Sequence, residues 1–109
     1  MTPLPYPHPD RTQRLVDAYC RRVAEELAAD PARVTAKAAA NLERMAPHCH
    51  PRLIAAWRAV LARPAADLAA FLVSDEPAAA ELRRNNPFAG VLPERERQDI
   101  VRQVWRAPA

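Results

Sequence analysis

Twelve prolines and one glycine, Gly90, in 109 residues limit this chain more than any other feature. A β-rich domain of this size needs many tight turns, and several of them call for glycine or Asn-Gly pairs. The chain supplies a single glycine and no Asn-Gly pair. Proline, by contrast, is at home in the first turn of a helix, where its missing N–H has no acceptor to lose. Abundant alanine and few β-branched residues favour the same backbone. The expected fold is therefore all-α, a compact bundle of five or six short helices.

The length allows one domain with a modest core. Half of the residues are apolar, but alanine inflates that share, and there are only two each of Trp, Phe and Tyr. A protein partner, or a second copy in a homodimer, would add burial that such a core lacks. Lys37 is the single lysine beside fifteen arginines, a bias that suggests a GC-rich bacterial genome. The net charge of +3 is spread along the chain: seven basic and six acidic groups in residues 1–46, three of each in 47–80, six and four in 81–109. Nucleic-acid binders gather their positive charge on one face, so this signal is mild. The first ten residues have neither a basic start nor an apolar run, and no stretch is long enough to span a bilayer. The expectation is a cytoplasmic protein with free thiols at Cys20 and Cys49.

Residues 1–9 alternate proline with other residues and predict an extended N-terminal arm, with Leu4 and Tyr6 as apolar anchors for the core or a partner. The helical domain follows over 10–109. Helix 1 is expected from Asp10, capped through Gln13, to Ala29, with Leu15, Val16, Tyr19, Cys20, Val23 and Leu27 on one stripe. Arg14, Asp17, Arg21 and Glu25 are expected opposite, with Arg21–Glu25 and Arg22–Glu26 as ion pairs. Asp30-Pro31 caps and opens helix 2, which buries Val34, Ala38, Leu42 and Met45 until Pro47 closes it. Pro51 opens helix 3, with Leu53, Ile54, Trp57, Val60 and Leu61 inward. Pro64 opens helix 4 over Leu68, Phe71 and Leu72. A short helix lies around Ala78–Arg84, and Pro93 starts the last one, with Ile100, Val101, Val104 and Trp105 as its apolar face.

Three places invite a functional reading. His48-Cys49-His50, with Cys20 as a further donor, is the first place to look for a metal. The spacing lacks the paired ligands of a structural zinc site, so no metal or cofactor is expected. Adjacent Cys49 and His50 also make a poor nucleophilic pair, and one glycine cannot build a phosphate loop. No catalytic constellation is present, and a non-enzymatic role is expected. The second place is the connector Leu82–Pro93. There Arg83, Arg84, Asn85, Asn86, Phe88, Val91 and Leu92 form either a plug that packs into the core or a partner-binding segment with Phe88 as its anchor. The third is the last helix, where Arg95, Arg102 and Arg106 could contact phosphates if the chain binds DNA.

The run ELRRNNPFAGVLPERER, Glu81–Arg97, resembles the C-terminal part of short helical bacterial proteins that share an LR, PFAGVL and ER pattern. Asn41, Leu42 and Trp57 extend the likeness to the middle of the chain. Those proteins are encoded beside small toxins, nucleotidyltransferase-like ones among them. The resemblance implies an antitoxin that neutralises a toxin partner by direct binding. A DNA-binding regulator, acting on its own operon, is the alternative expectation.

Overall fold

A computed structural model describes residues 7–106. Among them are six α-helices and no strand: α1 (Pro7–Ala29), α2 (Pro31–Met45), α3 (Pro51–Leu61), α4 (Ala65–Leu72), α5 (Pro77–Arg83) and α6 (Glu94–Arg106). A short 3-10 turn, Ala46–His48, follows α2.

The prolines explain where these helices begin, with corrections to the expected boundaries. Pro31, Pro51 and Pro77 occupy the opening turn of α2, α3 and α5. Pro64 instead sits one residue before α4, extended at φ −54° and ψ 150°. Its carbonyl accepts the Leu68 N–H at 2.9 Å, and Pro93 plays the same part for Arg97 of α6 at 3.1 Å. A proline's carbonyl can start a helical ladder even where its nitrogen cannot join it. α1 begins at Pro7 rather than Asp10, so the expected arm loses residues 7–9 to a helix. Pro7 and Pro9 fit that first turn because its N–H groups lack intrahelical acceptors. The rest of the arm, with Leu4 and Tyr6, lies outside the described residues. Pro47 does not stop the chain at Ala46, which keeps helical angles and donates its N–H to Leu42. The turn tightens to 3-10 form first and breaks only at Cys49, where the backbone is extended.

α1 is the central helix, packed against α2, α4, α5 and α6. Its stripe faces inward as expected: Cys20, Val23 and Leu27 are buried, and Leu15, Val16 and Tyr19 pack at the edge of the core. Val34, Ala38, Leu42, Ile54, Trp57, Val60, Leu68 and Leu72 complete the layer from α2, α3 and α4. At the centre, the Trp57 ring meets Phe71 and Phe88 edge-on, with centroids 5.8 and 5.5 Å away. Edge-to-face contacts of this kind add about 1 kcal/mol each beyond the burial of area.

Two expected features of α1 differ. Glu25 does not pair with Arg21 but lies 3.4 Å from Arg22, which also holds Glu26 at 3.1 Å and Glu96 of α6 at 2.8 Å. Asp17 does not face solvent opposite the core. It turns to Arg83 of α5, which places a charge pair between two helices. No helix among the described residues is long and apolar enough to cross a membrane.

Candidate functional site

The connector between α5 and α6 is built from the inside out. Phe88 is fully buried against Trp57, and Val91 and Leu92 are buried beside it. Burying a side chain of this size stabilises the fold by about 2–3 kcal/mol. The backbone that carries Phe88 must find hydrogen bonds within the protein, and α1 and α2 provide them. Asn41 of α2, itself buried, donates through Nδ2 to the carbonyls of Pro87 and Ala89, both at 2.8 Å. The Tyr19 hydroxyl of α1 donates to the Phe88 carbonyl at 2.8 Å. Asn86 closes the turn locally: its side chain donates to the Arg83 carbonyl at 2.8 Å and accepts the Phe88 N–H at 3.0 Å. Gly90 then takes φ +78°, the left-handed region that an L side chain resists, with Lys37 lying across it.

Arg83 anchors the other end of the segment. Only 4% of its side chain is exposed, and it donates to Asp17 Oδ1 at 3.1 Å and to the Phe71 carbonyl at 3.1 Å. The reading of Arg83, Phe88, Val91 and Leu92 as partner contacts is therefore corrected: these four side chains are used up inside the fold. The packed-connector alternative describes them. Arg84 and Asn85 remain exposed, and Arg84 lies 3.5 Å from Glu81.

The surface most suited to a partner lies next to this plug, on the face shared by α1 and α6. The two helices run antiparallel there, with Arg11 against Trp105 at one end and Arg22 against Glu96 towards the other. Leu15, Val16, Tyr19, Ile100 and Val101 line a groove of about 310 Å³, whose polar edge is Asn86 and Arg97. Beside it stands Trp105, 58% exposed. The Arg11 guanidinium covers one face of its ring at 4.4 Å and fixes it in place. The sequence predicts Trp105 as part of the buried face, and the structure corrects this. α6 packs chiefly on α1, where Ile100 and Val104 are buried, while Val101 is half-buried and Trp105 is exposed. That apolar arc, too wide for one neighbour, was the signal available in the sequence.

Two titratable groups near the groove are shifted. Arg97 holds the Glu94 carboxyl below its ordinary range through bonds of 2.9 and 2.6 Å. Burial raises the Tyr19 hydroxyl above its ordinary value. Burial likewise pushes the Cys20 thiol up to about 12, so it is an unreactive core group at neutral pH.

The remaining candidates fall elsewhere. Arg95, Arg102 and Arg106 lie along the outer stripe of α6, with Arg102 paired to Asp99. His50 caps α3, its Nδ1 accepting the Arg52 N–H at 3.0 Å, while His48 ends the 3-10 turn and Cys49 is half-buried. With Nδ1 in the cap, His50 is a helix-start residue. Among the described residues no group of three or more His, Cys, Asp and Glu converges as a metal site would. Among known proteins, no family, curated sequence or solved structure matches this chain.

Proposed function

We propose that this chain is a non-enzymatic protein-interaction module that works through the α1–α6 face. The observation that carries this reading is Trp105: a large aromatic side chain, more than half exposed and held in place by Arg11, beside an apolar groove. Tryptophan is among the residues that dominate binding energy at interfaces, and a pre-ordered ring loses little entropy on binding. The likeness of residues 81–97 to antitoxin-like proteins suggests where to look for a heterologous partner, namely the product of the neighbouring gene. On this reading the chain is the antitoxin of a pair and neutralises that product by binding it.

Coexpression with the neighbouring gene product tests this. The two proteins are expected to co-purify, and the neighbour is expected to be toxic when expressed alone. Trp105→Ala should weaken the complex without unfolding the chain. Failure to co-purify, together with a harmless neighbour, ends the antitoxin reading.

A second reading, DNA binding, has one observation in its favour: Arg95, Arg102 and Arg106 share the outer stripe of α6. It is the weaker of the two, because Arg102 already has a carboxylate partner in Asp99.

A further inference from the structure

The helices bring the start of α1 to the exposed Trp105. α1 begins at Pro7, and one turn later the Arg11 guanidinium sits 4.4 Å over the Trp105 ring near the end of α6. Pro7, Arg11 and Leu15 recur every four residues, so the chain enters α1 on the side of that helix that faces α6. From there the groove lined by Leu15, Val16, Tyr19, Ile100 and Val101 continues along the same side. Residues 1–6, which lie outside the described residues, read MTPLPY. They hold two prolines, Leu4 and Tyr6, and no charged side chain.

We propose that this proline-rich arm is the occupant of the α1–α6 face: residues 3–6 fold back along α1 and lie over Trp105 and the near end of the groove. The inference concerns the chain by itself, and so goes beyond the reading of this face as a partner site.

The reach of the segment matches the distance to be covered. Trp105 is level with Arg11, about 6 Å along α1 from Pro7, and Leu15 is about 12 Å along. Polyproline II advances about 3.1 Å per residue, so residues 3–6 span about 12 Å. Pro5 then comes level with Trp105, and Pro3 with Leu15. The chemistry matches as well. The groove is lined mainly by apolar side chains, and Arg97 at its edge is already held by Glu94. An uncharged segment loses no hydration of charge there, whereas an acidic or basic one would. Proline-rich segments dock on aromatic surfaces, and Trp105, fixed by Arg11, presents one. Their φ angles are set in advance, so ordering them costs little entropy. Covalent attachment at Pro7 supplies the rest: a short tether gives an effective concentration of about 1 mM, so even a contact of millimolar affinity is half made.

Tryptophan quenching by acrylamide tests the proposal on the full chain. Trp57 is fully buried, so Trp105 carries the quenchable emission. The probe is a chain with Pro3→Ser, Leu4→Ser and Pro5→Ser together. These positions precede α1, so its helical content by circular dichroism should equal the parent's. Its quenching constant is expected to rise about twofold or more, because a contact half made or better shields Trp105 for at least that share of the time. In a Trp105→Phe background the two arms should quench alike, which assigns the change to Trp105. Nuclear Overhauser contacts between the Trp105 indole and Leu4 or Pro5 are expected in the parent. Equal quenching of parent and serine arm overturns the proposal, and so does the absence of those contacts. Shielding that instead grows with protein concentration makes a second copy the occupant and overturns it too. Failure of the partner reading shows differently, as no complex with the neighbouring gene product whichever arm the chain carries.

Discussion

Asn41 shows how one polar residue can hold a loop. Its amide reaches two connector carbonyls at 2.8 Å from inside the core, and Arg44 in turn donates to its Oδ1. Asn41→Ala removes both donors and leaves the carbonyls short of partners, a loss of about 2 kcal/mol. Asn41→Asp should be worse at neutral pH, because it sets a carboxylate oxygen against those carbonyls. That difference should narrow in acid, where the protonated side chain can donate again. Urea denaturation of the three proteins at pH 7 and pH 4 measures it. Cys20 contributes on the alkaline side, together with Tyr19. The folded chain keeps this thiol protonated up to about 12, whereas the ordinary value is 9.0. Between those values the folded state binds more protons than the unfolded state, so stability falls as pH rises. The slope from this one group is at most about 1.4 kcal/mol per pH unit. Cys20→Ala should be less stable at pH 7 yet lose less between pH 9 and 10. A thiol reagent at pH 8 should label Cys49 in the native protein and Cys20 only after unfolding.

At the level of elements, the connector and α6 divide the two roles that the sequence had merged. Phe88 was readable as apolar residue in a loop, but spacing alone could not say whether it faced the core or a partner. The answer depends on Asn41 and Tyr19, 47 and 69 positions earlier, and no local pattern reports such long-range bonds. The six helices were readable because proline, caps and apolar stripes act within one or two turns. Trp105 was misassigned for a related reason: its periodicity marks it as apolar but does not say how many neighbours α6 has. This division of roles has a direct test. Phe88→Ala should cost about 3–5 kcal/mol through the cavity it leaves against Trp57, and Trp105→Ala less than about 1. Thermal unfolding of both variants separates them. Equal losses would mean that Trp105 is a core residue after all, and the proposed binding face would lose its anchor.

For the whole molecule, the question is what its positive charge can do. The net charge is only +3, and seven arginines (Arg22, Arg33, Arg58, Arg83, Arg84, Arg97 and Arg102) already lie within ion-pair distance of carboxylates. Apart from the buried Arg83–Asp17 pair, these exposed pairs stabilise little, yet each neutralises charge that a nucleic acid would otherwise meet. A duplex lying on the outer stripe of α6 would face Arg95, Arg102 and Arg106, about three phosphate contacts. Three contacts predict a salt dependence with a logarithmic slope near −2.7 and no retention at physiological salt. Fluorescence anisotropy with a labelled duplex, titrated from low to high salt, measures that slope. Arg95→Ala and Arg106→Ala should each reduce it by about 0.9. A slope two or three times steeper, with tight binding that survives physiological salt, would require basic side chains well beyond the outer stripe of α6. In that event DNA binding would displace protein binding as the main activity, and the exposed Trp105 would need another explanation.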